Sequence, residues 1–257
     1  RLAILEIVLP KAMEARFSND YIESLQDGLH LGLCGSGGPM PSSTRSGPCV
    51  VAIAGNKSFI FDAGTNGARN FGLMGLNYSS IEAVFITHFH SDHIDGLGEL
   101  SLFRWIGGQK REPLNVYGPK GIDQVVNGFN VAYELDSRYR NLHHGDDVAD
   151  LNGYGMIPIT FDMDEKIAST IVCNGDGVKV EAFSVNHAPA SPAVGYKISY
   201  KGRSTVISGD TSKNKNLERN SKDVDLLIHS GLSPKLLKMM SSAALQAGNN
   251  AQAKIFH

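Results

Sequence analysis

The sequence Thr87-His88-Phe89-His90-Ser91-Asp92-His93 brings three imidazoles and one carboxylate into positions 88–93. It directly follows residues 81–86, an apolar run that is too short for a helix and contains β-branched and aromatic side chains, so a buried strand is predicted there. The histidines then lie on the loop at the end of that strand. Because alternate residues of an extended segment point the same way, His88 and His90 can bind one ion together, and the aspartate and histidine that follow can face a second ion.

This clustering of histidine and aspartate indicates a metal site. The chain has 9 histidines in 257 residues, so a chance grouping of three of them with an aspartate on one loop is improbable. The alternative is a histidine-rich surface loop without a ligand. Imidazole and carboxylate donors, with no thiolate among them, favour zinc, manganese or iron over a structural site built from cysteines.

The pattern His-x-His-x-Asp-His after a strand resembles the metallo-β-lactamase superfamily, and later segments extend that resemblance to its ribonuclease Z-like members. His187 ends a predicted strand, the run Ser-Gly-Asp-Thr at 208–211 follows one strand later, and His229 ends a further strand. The resemblance implies two divalent metal ions, zinc first, with manganese or iron as alternatives. The implied ligands are His88, His90 and His187 for the first ion, Asp92 and His93 for the second, and Asp210 as the bridge between them.

The resemblance also implies residues that support or complete the chemistry. Asp62, which precedes Gly64 at a strand end, would orient the histidine loop without binding metal, as outer carboxylates do in metal sites. An ordinary turn or cap residue is the alternative. Asp92 and His229 are the candidates for proton transfer to the leaving group. The resembling enzymes usually have Glu-Ala-Thr where this chain has Ser-Gly-Leu at 230–232, so any role of that glutamate is absent here.

The resemblance, together with the order of predicted strands and helices, implies an α/β fold: a four-layer αββα sandwich of two mixed β-sheets with the metals at one edge. Residues 28–257 are expected to form this hydrolase domain. The predicted strands are 29–34, 49–54, 58–62, 81–86, 113–119, 178–185, 193–200, 205–208 and 225–229, and the predicted helices are 96–105, 122–135 and 233–247. Residues 136–176 show no clear pattern, and their His143-His144 pair is interpreted as surface rather than metal-binding.

Both ends of the chain carry separate expectations. Residues 1–27 are predicted to contain an N-terminal helix, whose apolar run 2–9 is too short to span a bilayer. A packing or oligomer-contact helix and the remnant of an anchor or signal are the two alternatives. At the other end, the resembling enzymes have a final strand that ends in a histidine ligand. Residues 254–257 could be that strand, but we expect the last ligand beyond His257, with the domain incomplete at its C-terminal end.

The implied chemistry is hydrolysis. Two ions that share a solvent molecule lower its pKa and hold a bridging hydroxide ready to attack phosphorus or a carbonyl carbon. A ribonuclease Z-like phosphodiesterase is the first expectation, and a carboxylic or sulfuric ester hydrolase, of lactonase or arylsulfatase type, is the alternative. The segment between His187 and Asp210 is too short for the tRNA-gripping arm of ribonuclease Z, which favours a small or nucleotide-like substrate over tRNA. A homodimer is expected.

Composition narrows the function classes only slightly. The formal net charge of −2 gives no whole-molecule attraction for nucleic acid. A di-iron redox module on the same fold would need an acidic residue in place of a motif histidine, whereas all three histidines are intact, and it would need a flavin domain.

Cys34 and Cys49 stand in neighbouring predicted strands and either form a disulfide or remain two free thiols. A cytoplasmic and an exported location are both compatible with the sequence.

Overall fold

The structure is a computed structural model that describes residues 8, 10, 21–163 and 168–256. Of the predicted N-terminal helix, only Val8 and Pro10 are described, and both are helical. The rest of that helix and His257 lie outside the described residues. Among the residues that are described, no helix combines the length and the apolar character that a membrane span requires.

The described residues form two mixed β-sheets. The first sheet contains, in spatial order, β1 (Leu29–Gly35), β2 (Cys49–Ala54), β3 (Lys57–Phe61), β4 (Ile81–Phe85), β5 (Leu114–Pro119) and β6 (Met156–Phe161). The second sheet contains β7 (Thr170–Gly175), β8 (Val178–Ser184), β9 (Val194–Tyr200), β10 (Arg203–Ile207) and β11 (Leu226–Ile228), in the spatial order β11-β10-β9-β8-β7. β3, β4, β5 and β6 are parallel to one another, as are β10 and β11, and the other pairings are antiparallel.

Helices connect the strands, and several of them cover the outer faces of the sheets. The α-helices are Gly67–Leu73, Ser91–Ile94, Leu97–Leu102, Ile122–His144, Asp146–Ala149, Lys215–Asn220, Pro234–Gln246 and Asn250–Ile255. The 3-10 turns are Tyr21–Ser24, Tyr78–Ser80 and Leu151–Gly153, and a π-helical turn covers Phe103–Gly107. The helix Pro234–Gln246 begins as predicted, because the hydroxyl of Ser233 accepts a hydrogen bond from the backbone N–H of Leu236.

The two faces of β4 show how the layers stack. Phe85 points between the two sheets, where its ring centroid lies 5.1 Å from that of Phe61 and 5.5 Å from that of Tyr196 in β9. Val84 and Ile86 point the other way, into a core that includes apolar side chains of the helices Leu97–Leu102 and Ile122–His144. A smaller core joins the outer face of the second sheet to the helix Lys215–Asn220. The order helix, sheet, sheet, helix confirms the predicted four-layer sandwich.

Several segments differ from the prediction. The helix predicted for 122–135 continues to His144, and the unassigned stretch that follows contains β6 and β7, one edge strand of each sheet. The less favoured alternative of a final strand at 254–257 is not supported in the described part of this segment, because the helix Asn250–Ile255 includes its first two residues. Of the two alternatives for the cysteines, the structure has the disulfide, which joins Cys34 in β1 to Cys49 in β2 and closes the loop 35–48.

A buried hydrogen bond joins the two sheets directly below the histidine loop. The hydroxyl of Tyr196 in β9 donates to the carbonyl oxygen of Ile86 at the end of β4, with 2.7 Å between the two oxygens. Because both residues are buried, Tyr196→Phe should leave that carbonyl unsatisfied and lower the free energy of unfolding by about 1–3 kcal/mol. Urea denaturation would measure this, with the exposed Tyr139→Phe as the matched control. Equal stability of the two variants would contradict the assignment.

Candidate metal centre

The histidine loop is fixed to the ends of parallel strands. The backbone N–H of Ile86 donates to the carbonyl of Tyr117 in β5, and the N–H of Asp62 donates to the carbonyl of Phe85. After His90 the chain turns into the short helix Ser91–Ile94, which carries the aspartate and the third histidine of the motif on buried positions. The loop therefore presents its imidazoles at one edge of the first sheet, as the sequence predicted.

Three histidines form a first group of converging nitrogens. His88 Nε2 lies 3.0 Å from His90 Nδ1, and His187 Nε2 lies 3.1 Å from the same nitrogen. His187 follows β8 of the second sheet, so the group brings together residues from both sheets. The ligand atoms of all three fall within 4.8 Å of one another, which is close enough to surround one ion. The predicted first set of ligands is thus assembled in space.

A second group lies beside the first and shares His88 with it. It consists of His88, His93 and Asp210, whose ligand atoms also lie within 4.8 Å of one another. His93 Nε2 is 3.6 Å from Asp210 Oδ2 and 3.7 Å from Asp92 Oδ2. Asp210 Oδ2 is also 4.0 Å from His187 Nε2, so this carboxylate stands between the two groups in the place predicted for a bridging ligand.

One orphaned nitrogen indicates that this cluster suits a metal ion. His93 Nε2 is buried and has no hydrogen-bond partner. The nearest carboxylate oxygens, of Asp210 and Asp92, lie just beyond hydrogen-bond distance. A buried polar atom without a partner is costly unless something else binds it. Imidazole and carboxylate donors around such an atom fit zinc, manganese or iron.

The electrostatic environment separates two neighbouring histidines. The pKa of His88 falls to about 3, because burial penalises its charged form and a charge on His93 would repel it. Burial also lowers the pKa of His93, but Asp62 and Asp210 outweigh this effect and raise it to about 10. His93 in turn lowers the pKa of Asp210. A proton on His93 Nε2 and a metal ion compete for the same lone pair, which the carboxylates hold in a strongly negative environment.

Asp62 supports the loop from behind and does not face the two groups of ligand atoms. Its Oδ2 lies 2.7 Å from His93 Nδ1, so it fixes the ring with Nε2 directed toward Asp210. Its Oδ1 accepts from the backbone N–H of Thr87 at 2.8 Å. The residue is buried and has a left-handed backbone, with φ 58°. The position agrees with the orienting role that the resemblance implied.

The structure also contains supporting contacts that the sequence did not reveal. The N–H of Asn186 donates to Thr211 Oγ1 at 3.1 Å, and the N–H of Ser212 donates to the carbonyl of Asn186 at 2.8 Å. These bonds tie the segment before His187 to the segment after Asp210, so they fix the two ligands of the second sheet relative to each other. Thr next to Asp in a turn is a common pattern, and nothing in its spacing indicated this link.

His229, the second candidate for proton transfer, lies outside both groups. Its Nδ1 is 2.8 Å from Ser208 Oγ, and the Ser208 hydroxyl donates to the carbonyl of Gly209. The hydroxyl can therefore only accept from His229, so the hydrogen of that ring is on Nδ1. His143 and His144 end the long helix on its exposed face and belong to neither group, which agrees with their interpretation as surface residues.

Comparison with known proteins identifies the family of this arrangement. A family model described as the metallo-beta-lactamase superfamily matches residues 43–245. The chain is 31% identical over 203 residues to ribonuclease Z of Mycobacterium marinum, covering 78% of this chain and 70% of that protein. It is 29% identical over 214 residues to ribonuclease Z of Mycolicibacterium gilvum, covering 82% of this chain and 72% of the relative.

Solved structures share the fold. The human short form of tRNase Z superposes with a TM-score of 0.61 at 23% identity, covering 82% of each chain. The long form of RNase Z from yeast gives a TM-score of 0.59 at 16% identity, covering 86% of this chain and 34% of that one. At these identities the similarity concerns the architecture, and it agrees with the four layers described above.

Proposed function

The chain belongs to the metallo-beta-lactamase superfamily, among its ribonuclease Z-like members, and we propose that it is a binuclear metal-dependent phosphodiesterase that acts on RNA. The observation that carries the proposal is the pair of adjoining ligand groups that share His88, with Asp210 between them. Zinc is the metal that we place first, with manganese and iron as the alternatives.

The proposed ligands divide into two sets. His88, His90 and His187 would hold the first ion, Asp92 and His93 the second, and Asp210 both. Two divalent ions held by these residues would supply an activated water molecule and neutralise the charge that develops on a phosphate oxygen. The protein holds the donor atoms ready: Asp62 fixes His93, and the Asn186 to Thr211 bond fixes the side of the site that carries His187 and Asp210.

Proton transfer to the leaving group is the second task of the site. Asp92 is nearly buried, and its Oδ2 lies 3.7 Å from His93 Nε2, so it reaches the cluster directly. The hydrogen of the His229 ring is on Nδ1 and engaged with Ser208, so the Nε2 of the neutral ring has no hydrogen to donate. Neither candidate belongs to a ligand group, and we favour Asp92 because it lies beside His93, whereas His229 is exposed and bonded to Ser208.

The names of the relatives support one substrate class for this proposal. Proteins named ribonuclease Z and tRNase Z favour RNA, with tRNA as the first candidate, whereas the short segment between His187 and Asp210 pointed to a smaller phosphodiester. Both are phosphodiesters, so the reaction is the same. A carboxylic or sulfuric ester hydrolase is the competing activity, and no contact in the described part of the chain favours it.

Hydrolysis of bis(p-nitrophenyl) phosphate by the zinc- or manganese-loaded protein tests this function. We expect turnover that falls at least about a hundredfold in His90→Ala, because one ligand of the first ion is removed. His90 is exposed, so the variant should fold normally, and His143→Ala on the distant helix is the matched control. A precursor tRNA with a 3′ extension would then be assayed. Turnover of p-nitrophenyl butyrate or p-nitrophenyl sulfate without any phosphodiester cleavage would move the ester hydrolases to first place.

A further inference from the structure

Thr87 lies between the histidine loop and the second sheet. Its side chain is fully buried, and its backbone carbonyl accepts a hydrogen bond from the N–H of Val194 in β9 of the second sheet. The backbone at Gly209 packs against it so closely that a Cβ there would lie 2.8 Å from Thr87 Cβ and 3.0 Å from its Oγ1. Thr87 thus contacts the residue that immediately precedes Asp210, and it directly precedes His88 in the chain.

The hydrogen bonds of the Thr87 hydroxyl have only one consistent direction. Thr87 Oγ1 lies 2.9 Å from Asp62 Oδ2 and 3.0 Å from His88 Nδ1. The carboxylate of Asp62 accepts, so the single hydroxyl hydrogen points to it. Toward His88 the hydroxyl oxygen can therefore only accept, and the hydrogen between them belongs to His88 Nδ1. The Nε2 of His88 is left with its lone pair facing His90 and His187.

We propose that Thr87 is a positioning residue that sets the tautomer of His88 and couples the two metal sites. Asp62 holds His93 directly and His88 through the Thr87 hydroxyl, so one carboxylate orients a ligand in each of the two groups. The inference rests on the metal site proposed above. It adds a specific requirement for a hydroxyl at position 87, which the site's ligand set alone does not contain.

The paired variants Thr87→Val and Thr87→Ser separate this role from simple packing. Valine keeps the shape of threonine but leaves the buried Nδ1–H of His88 without an acceptor, whereas serine keeps the hydroxyl. We expect the dissociation constant for Zn²⁺, measured by competition with a chromophoric chelator, to rise about 10–100-fold in Thr87→Val, as for other outer contacts of metal ligands. Thr87→Ser should stay within about threefold of wild type. Equal zinc affinity in Thr87→Val and wild type, or equal weakening in both variants, would overturn the proposal.

A second measurement does not depend on turnover or on variants that fold. Long-range ¹H–¹⁵N correlation spectra of histidine rings in the zinc-free wild-type protein report which nitrogen of His88 carries the hydrogen. We expect the Nδ1–H form in wild type and in Thr87→Ser. The Nε2–H form in wild type would refute the inference even if the protein hydrolyses phosphodiesters. Absence of zinc binding by wild type would refute the proposed function and the coupling of metal sites together, whereas the Nε2–H form in a zinc-binding wild type would refute the role of Thr87 alone.

Discussion

Replacing Asp210 with alanine should lower phosphodiester hydrolysis about a thousandfold or more, which corresponds to roughly 4 kcal/mol of lost transition-state stabilisation. The carboxylate lies 3.6 Å from His93 Nε2 and 4.0 Å from His187 Nε2, so its removal takes a donor from both proposed ions at once. Metal content, measured by inductively coupled plasma mass spectrometry, should fall together with activity. Removing His187, by contrast, should disturb only the first group.

The control for this variant is an aspartate far from the site. Asp176 is highly exposed and pairs with Lys57 on the surface, so Asp176→Ala should keep its metal and lose less than about twofold in activity, as expected for a surface ion pair. Asp210→Asn keeps the shape of the side chain and should be nearly as inactive as the alanine variant, because the negative charge is lost. Full activity and two bound ions in either Asp210 variant would refute the proposed centre.

Gly64→Ala should destabilise the protein by about 1–3 kcal/mol or more and displace the loop that carries Asp92. A Cβ at this position would lie 2.2 Å from the carbonyl oxygen of Asp92, 2.6 Å from the carbonyl carbon of Gly47 and 2.7 Å from the nitrogen of Pro48. All three are backbone atoms, so no side chain can turn aside to make room. In the variant, the backbone of Asp92 must therefore move apart from the rim loop, residues 35–48, which the Cys34–Cys49 disulfide closes.

Gly38→Ala is the matched control, because Gly38 lies in the rim loop on which Gly64 packs and a Cβ there meets no atom within 4 Å. Thermal unfolding and zinc titration should place Gly38→Ala near wild type and Gly64→Ala well below it. If Gly64→Ala retained wild-type stability and zinc affinity, the close packing of the rim loop on the backbone of Asp92 would be disproved.

The local sequence pattern by itself predicted the part of this site whose residues are close together in the chain. His88, His90 and His93 follow one strand, and strand periodicity alone places them on one loop. His187 and Asp210 come from the other sheet, and only the resemblance to a family indicated that they join the cluster. The hydroxyl of Thr87 and the backbone contact at Gly64 are tertiary features with no signature in the local pattern.

The longest helix shows a different limit. Its predicted end near residue 135 followed the loss of apolar periodicity, but the helix continues to His144. Beyond residue 135 the helix is largely exposed, and it carries ion pairs at spacing i, i+4, such as Asp136 with Arg140. Polar residues on a solvent-facing helix resemble an irregular loop when only hydrophobicity is considered. The same effect concealed β6 and β7, whose edge positions leave several of their side chains exposed.

The ligands of the proposed centre come from both sheets: three histidines from the loop after β4 of the first, and His187 and Asp210 from the ends of β8 and β10 of the second. Bound ions would then link the two sheets at the open edge of the sandwich, whereas apolar packing holds the sheets together in the interior. Ligand binding to the native state alone adds about 4 kcal/mol of stability when the free ion is at a thousand times its dissociation constant. Metal binding of this kind would couple the folding equilibrium to the supply of the ion. Loss of the ion would then lower the free energy of unfolding as well as the catalytic activity.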